Sequence, residues 1–354
     1  MVAENHMRIS AFIVALSMLI AGCSPSTPSR SVATQTQLAL IRKNPTALST
    51  ATIQASMPID RDIPDKAAQT RVLQTASANL PDIGDKQLHD VPLYGMEFVP
   101  ADDLDVIQGM GIDVVLAVFP HDGLVQDWVA YLDQAYALEI KVIGRLWPEG
   151  WQWDGSNWQI DSQTRIFIQT LANHPATLAV YALEEPYWRG CWGCGYTTDQ
   201  LQLLYKRIRE IARIPIYSEV DSMSFWTEQG ENTAFADGIC DYCASWYYPF
   251  LADGSYQREE LISNLTADLA VARSRAPNSK FIWLMQGFAQ ERTFRLPAAE
   301  EMYDLAAIVY DLHVDGALWY CWNFGSLYSD FLSKHPELEP VIREIHRNIV
   351  IPKE

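Results

Sequence analysis

The chain has 354 residues, 49% of them hydrophobic and 20% charged, and its 44 acidic against 26 basic side chains leave a formal net charge of −18. That balance argues against a surface built for nucleic acid or anionic lipid, both of which are polyanions. It does not name a substrate, because acidity mainly serves solubility.

The chain begins with an address rather than a fold. Arg8 supplies a positive n-region, and Ile9 to Ile20 is apolar but too short to span a bilayer as a mature helix. Ile20-Ala21-Gly22-Cys23 follows, with Ser24-Pro25-Ser26 behind it. This stretch resembles the bacterial lipobox. The resemblance implies cleavage before Cys23 and attachment of a diacylglyceryl group, with palmitate-type chains, to its sulfur. The expected location is then the bacterial cell envelope, and the outer membrane in a Gram-negative host. The lipid is the only membrane contact expected, since no later apolar run is long enough to span.

Residues 1–22 are thus expected to be a lipoprotein signal peptide and 23–90 a lipidated tether. From Ser24 to about Asp90, Ser, Thr, Ala, Gln and Pro dominate and no apolar period persists. Such a stretch buries too little surface to offset chain entropy. As a flexible chain it reaches roughly 45 Å end to end.

From about Val91 to residue 350 the character is globular, and eight strand-like runs alternate with helical ones. The strands are Leu93–Val99, Asp113–Phe119, Lys141–Trp147, Leu178–Glu184, Ile214–Glu219, Gly238–Tyr247, Lys280–Gln286 and Gly316–Trp322. Most are short apolar runs, as expected where both faces of a sheet are covered. Leu124 to Leu138, Thr198 to Ala212, Glu259 to Arg273 and Ala298 to Leu312 carry the i, i+3, i+4 apolar repeat of amphipathic helices. Weaker helices are expected after Pro100 and after Met223, and Thr197 and Ser329-Asp330 are plausible helix starts. Eight alternations in about 260 residues predict an α/β protein with a single (β/α)8 TIM barrel. No glycine-rich phosphate loop follows the first strand, which weighs against a dinucleotide-binding fold.

Catalytic groups of such barrels sit where strands end. Nine of the 12 tryptophans fall at or soon after a predicted strand end: Trp147, Trp151, Trp153, Trp158, Trp188, Trp192, Trp246, Trp319 and Trp322. Aromatic faces suit the C–H faces of sugar rings. Trp151, Trp153 and Trp158, in a loop of Gln, Asp, Gly and Asn, are expected to line a carbohydrate cleft rather than the core. Carboxylates gather at the same ends: Glu97, Glu149, Glu184, Glu185 and Glu219. Glycoside hydrolysis needs two, one protonated and one ionised. Adjacent strand residues point to opposite faces, so Glu184 and Glu185 are not expected to form that pair. Arg145 could hold a carboxylate of the substrate or of the protein. Tyr94, Tyr181, Tyr217 and Tyr320 are hydrogen-bonding candidates without individual weight.

Val180-Tyr181-Ala182-Leu183-Glu184-Glu185-Pro186 resembles the fourth-strand motif of retaining barrel glycosidases, in which Asn-Glu-Pro or Asp-Glu-Pro holds the acid/base. The resemblance implies that Glu185 is the acid/base and Glu184 a substrate contact. Tyr247-Tyr248-Pro249 is similar to the sixth-strand ending of that superfamily. Trp283-Leu284-Met285-Gln286-Gly287-Phe288 resembles the seventh strand of uncharacterised glycosidase-like barrels, and the eighth-strand region Gly316 to Tyr320 fits as well. The resemblance spans most of residues 91–325. It departs at Gln286, where the retaining enzymes carry a nucleophilic Glu. An amide can bind a sugar hydroxyl but cannot form the glycosyl ester. Either the second carboxylate has moved, with Glu219 and Glu97 the first choices, or another base activates water, or the substrate itself assists. Trp147, Trp151, Trp188, Tyr247, Gln286, Trp319, Trp322, Arg145 and Glu184 are the expected substrate contacts.

Past Cys23 lie Cys191, Cys194, Cys240, Cys243 and Cys321. Both pairs have zinc-like spacing, but export favours oxidation. A disulfide between Cys191 and Cys194 is expected in preference to a zinc site. The seven histidines show no ligand spacing, so no metal or other cofactor is expected. The leading expectation is a surface-tethered O-glycoside hydrolase whose partner is a carbohydrate. A carbohydrate-binding barrel without catalysis and an envelope scaffold are the rivals.

Overall fold

The computed structural model describes residues 92–186, 195–220, 235–324 and 328–351. Eight strands run Leu93–Glu97 (β1), Val114–Pro120 (β2), Lys141–Trp147 (β3), Thr177–Glu184 (β4), Ile216–Glu219 (β5), Tyr242–Trp246 (β6), Lys280–Gln286 (β7) and Gly316–Tyr320 (β8). All pair in parallel with their sequence neighbours, and β8 closes onto β1 from Leu93↔Gly316 to Met96↔Trp319. The barrel expected from the alternation is the fold.

Closure sorts each strand into two layers. Tyr94 and Met96 of β1 face outward to the helices, whereas Leu93 and Glu97 belong to the barrel interior or its mouth. The interior is filled by Leu116, Ile143, Ala179, Tyr181, Tyr217, Ala244, Leu284 and Leu318. Gly95 is glycine because a Cβ there would lie 2.7 Å from Leu318 Cγ. Gly144, on the outer face of β3, lets Leu171 approach to where a Cβ would stand, 2.7 Å from its Cδ1.

The helices are Leu104–Gly109 (α1), Val125–Ala137 (α2), Ser162–Ala172 (α3), Thr198–Ile211 (α4), Arg258–Arg275 (α5), Ala299–Asp311 (α6) and Glu339–Ile345 (α7). Thr197 caps α4 as its sequence suggests: Gln200 N–H donates to Thr197 Oγ1 at 3.3 Å, and Thr197 N–H to Gln200 Oε1 at 2.7 Å. α3 escaped the periodicity reading because buried Thr164 and Thr170 interrupt its apolar face of Phe167, Ile168 and Leu171. Ser329-Asp330 does not start a helix. Asp330–Phe331 instead pairs antiparallel with Phe288–Ala289, and Asp330 accepts from the Phe331 N–H and from His335.

The sixth strand begins later than expected, at Tyr242, so Cys240 lies in the approach to it rather than within it. That irregular approach allows Cys240 and Cys243 to form a disulfide, a pairing that the sequence analysis did not single out. Cys191, Cys194, Trp188, Trp192, the fifth helix after Met223, and everything expected of residues 1–91, including Cys23, lie outside the described residues. No described helix is long and apolar enough to cross a membrane.

Candidate active site

The C-terminal ends of β1, β3, β4 and β5 bring their acidic and basic side chains to one place. Glu97 ends β1 and is wholly buried; Glu219 ends β5 and is 3% exposed; Arg145, near the end of β3, is 4% exposed. Arg145 Nη2 donates to Glu184 Oε2 at 2.8 Å and to Glu149 Oε1 at 3.1 Å. Its guanidinium also stands over the rings of Tyr181 and Trp147, 4.4 and 4.7 Å from their centroids. Tyr217 Oη donates to Glu97 Oε1 at 3.1 Å, and the Tyr181 and Tyr217 rings lie 5.5 Å apart beneath the acids.

A register shift decides which carboxylate of the Glu-Glu-Pro sequence joins this group. The β4–β5 pairing slips between Tyr181 and Glu184, so that Glu184 stands opposite Glu219. Such a bulge changes the parity of the strand and re-aims the following side chain. Tyr181 and Glu184 therefore both reach Arg145, although three residues apart on a strand they would ordinarily face opposite sides. Glu185 follows with φ 44° and donates its N–H to the Glu219 carbonyl at 2.9 Å. Phe98, directly after Glu97, has φ 60°. Left-handed backbone at a non-glycine residue is costly, and here it recurs directly after two carboxylates at the mouth.

Burial governs the electrostatics. Desolvation pushes the Glu97 carboxyl from its ordinary 4.5 up to about 8; Glu184 adds to the rise, while the hydrogen bond from Tyr217 and the charge of Arg145 oppose it. Glu219 is raised well above the carboxylate range by burial first and then by Glu97 and Glu184. The two carboxyls are close enough to share a hydrogen bond when one is protonated, so their protons are coupled. Burial also raises Glu149, with Arg145 opposing. Arg145 itself stays charged: burial disfavours the cation, and Tyr181, Glu184, Glu149 and Glu219 more than offset it. Among the described residues, Glu97 Oε2, Glu219 Oε1, Tyr181 Oη and Arg145 Nε are buried and make no hydrogen bond of ordinary geometry, although Tyr181 lies within reach of Glu219 and Glu219 within reach of Glu97. Polar atoms buried in that way are costly and are found where a ligand or water completes them.

Several expected substrate contacts are corrected by this geometry. Gln286 is fully buried, and its amide is spent on backbone: Oε1 accepts from Phe250 N–H at 3.0 Å, and Nε2 donates to the carbonyls of Arg295 at 2.8 Å, Phe250 at 3.2 Å and Phe288 at 3.3 Å. It ties the loops after β6 and β7 together and has no bond left for a sugar. Trp319 faces the outer layer, where its indole N–H donates to Tyr94 Oη at 2.8 Å. Trp322 is 4% exposed and donates to Asp103 Oδ2 at 2.7 Å. Trp151 and Trp158 are buried because their loop folds back as a hairpin, Trp151–Trp153 against Trp158–Ile160, with Trp158 Nε1 donating to the Gln200 carbonyl at 2.7 Å. Trp158 packs the hairpin onto α4, and Trp151 belongs to the buried core. Trp147 and Tyr247 remain partly exposed, and Tyr247 Oη bonds Gln257.

A feature the sequence reading passed over is a cluster of aromatic rings at the mouth. Phe98, Tyr248, Phe288, Tyr320, Phe324 and Tyr328 form edge, tilted and stacked contacts at 4.2 to 6.5 Å. Tyr248 and Tyr320 sense the carboxyls, since Glu97, Glu219 and Glu184 help to raise their pKa values after burial. The signal was present: Phe98, Tyr248 and Phe288 come within two residues of the ends of β1, β6 and β7. Tyr248, Phe288 and Tyr320 were named in motifs or as hydrogen-bonding candidates, but not as one cluster. Among the described residues no group of His, Cys, Asp and Glu has the arrangement of a metal site.

No known family profile and no curated protein matches the chain. Solved structures do resemble it. The chain is similar to the endo-β-1,4-mannanase of Thermotoga petrophila, with TM-score 0.50 and 14% identity over 75% of this chain and 78% of that one. It is also similar to the β-glucuronidase of an uncultured Clostridium species, with TM-score 0.48 and 13% identity over 73% of this chain and 50% of that one. At such identities the likeness establishes the fold alone, a (β/α)8 barrel.

Proposed function

We propose that this protein is an O-glycoside hydrolase acting on an oligo- or polysaccharide outside the cytoplasm. The observation that carries the reading is the convergence of carboxyls from β1, β4 and β5 around Arg145 at the catalytic end of the barrel. Glycoside hydrolysis requires a protonated carboxyl to donate to the leaving oxygen and an ionised one to attack or to activate water. Burial raises the carboxyls of both Glu97 and Glu219, which suits this pair to the role of proton donor. The ionised partner is then a β4 carboxylate: Glu184, held by Arg145, or Glu185. This exchanges the roles implied by the fourth-strand resemblance, in which Glu185 is the acid/base.

The test is product release from a broad glycan panel and from aryl glycosides with good leaving groups. Glu185→Gln, Glu184→Gln and Glu219→Gln are compared with the wild type. Loss of the donor spares activated aryl glycosides, whereas loss of the ionised group abolishes both activities and azide restores turnover. Glu219→Gln is expected to behave in the first way and a β4 variant in the second. The locked amide of Gln286, where retaining enzymes keep a nucleophile, favours a second reading, a barrel that binds glycans without cleaving them. Glycan binding without turnover in the wild type would select it. The N-terminal sequence supports tethering through Cys23, so Cys23→Ser should move the protein from the membrane fraction to the soluble fraction in a bacterial host.

A further inference from the structure

Resting on the hydrolase reading above, we infer that Tyr217 is a positioning residue of this site: by donating to Glu97 it leaves the last proton of the carboxyl pair on Glu219. Glu219 is then the group that protonates the leaving oxygen, and Glu97 is the acceptor that holds the Glu219 hydroxyl in place. The two carboxyls are buried within reach of one another, and the oxygens left without a hydrogen bond of ordinary geometry are Glu97 Oε2 and Glu219 Oε1. Two ionised carboxyls offer only acceptors and repel at such a contact. A single proton turns the same contact into an O–H···O bond.

Unequal neighbours decide which carboxyl keeps that proton. Glu97 comes from β1, and its Oε1 accepts from Tyr217 Oη at 3.1 Å. A donor favours the ionised form of the carboxyl that accepts from it. Burial first, and then the nearby acids, raise the Tyr217 phenol well above its ordinary value, so it keeps the proton that it donates. Glu219 has no equal donor, because Tyr181 lies within reach of it but makes no bond of ordinary geometry. Glu219 also stands in register beside Glu184 on β4, whose charge disfavours a further carboxylate there. Glu97 feels that charge from three strands away. The other groups around the pair do not choose between its members. Arg145 favours the ionised form of both, Glu149 is turned to Arg145, and burial keeps Tyr248, Tyr320, Tyr328 and Cys321 neutral. In the reaction the Glu219 proton passes to the leaving oxygen as the glycosidic C–O bond breaks. The water whose oxygen takes its place at the anomeric carbon returns a proton, so the pair is restored.

Infrared spectroscopy of the full chain distinguishes protonated from ionised carboxyls and follows the pair through a pH titration without any substrate. Wild type, Glu97→Gln, Glu219→Gln and Tyr217→Phe are compared. Glu97→Gln should remove the earlier of the two buried-carboxyl steps, and Glu219→Gln the later. Tyr217→Phe should move the earlier step upward by about one pH unit, a roughly tenfold change in proton affinity. It should also slow hydrolysis of aryl glycosides with poor leaving groups about tenfold and spare those with good ones, a split that a structural role would not produce. Loss of the later step in Glu97→Gln, or an earlier step that Tyr217→Phe leaves in place, overturns the inference while the hydrolase reading stands. If a Gln variant does not fold, the shift in Tyr217→Phe decides by itself. Silence of the wild type on every glycoside overturns the hydrolase reading and the donor role of Glu219, and the infrared titration still locates the proton.

Discussion

The ends of β7 and β1 lie at the same barrel mouth and each carries a fully buried polar side chain, yet they differ in what those side chains have to do. At β7 every polar atom of the Gln286 side chain is engaged, its carbonyl by Phe250 N–H and its amide by three backbone carbonyls. At β1 the Glu97 carboxyl accepts from Tyr217, and its second oxygen makes no hydrogen bond of ordinary geometry beside the Glu219 carboxyl. Equal burial therefore conceals opposite roles. A satisfied amide welds two loops, whereas an unsatisfied acid with a displaced pKa holds unused binding capacity, which is what a reacting group needs.

Four measurements would break or sharpen that contrast. The largest effect is expected at the unsatisfied end: Glu219→Gln should lower turnover of unactivated glycosides by about a thousandfold, roughly 4 kcal/mol of barrel-site transition-state stabilisation, without loss of stability in urea denaturation. Unchanged turnover would remove the acid pair from the chemistry. Next, Gln286→Leu should cost on the order of 3 kcal/mol in the same denaturation, because it strips partners from buried backbone groups of Phe250 and Arg295. Gln286→Glu should likewise destabilise and should not raise activity, although it restores the residue type of retaining barrels. A gain in turnover would show that β7 still serves the reaction.

The third expectation concerns pH. The folded-state value of Glu97 lies at about 8 and its unfolded value near 4.5, so between them the folded state holds a proton that the unfolded state has lost. Stability must then fall as pH rises from about 4.5 toward 8, by an amount on the order of 2 kcal/mol, less than the full shift implies because the pair shares its proton. Urea midpoints at mildly acidic and mildly alkaline pH measure this, and Glu97→Gln should flatten the slope. A slope unaltered by Glu97→Gln would place the linkage elsewhere. The smallest effect is expected for Trp319→Phe, about 1 kcal/mol from the lost bond to Tyr94 with turnover intact. A substantial loss of activity would restore Trp319 as a substrate contact.

The strand boundaries were legible because the signal is local. A parallel strand covered on both faces must be a short apolar run, and β2, β3 and β7 lie within one residue of where their runs predict. The acids at Glu97, Glu184 and Glu219 were legible for a related reason: a polar residue closing an apolar run at the catalytic end has little to gain from packing. Facing was not legible at β4. Strict alternation separates Tyr181 from Glu184, and the register slip that unites them on Arg145 arises only when β4 and β5 pair. The tryptophans misled for a similar reason, since indoles suit a sugar face and a helix–strand interface equally well, and the hairpin at Trp151–Ile160 chose the interface.

The sequence by itself determined the eightfold barrel, its order and the strand ends where acids could act, because each depends on hydrophobic period and chain neighbours. Tertiary structure alone decided that Gln286 is a weld, that Glu184 meets Arg145, and that burial raises the carboxyls of Glu97 and Glu219 together. Those outcomes depend on burial and on distances between residues far apart in the chain, such as the 120 positions separating Glu97 from Tyr217. Desolvation and partner count are properties of the closed barrel, and no local pattern encodes them.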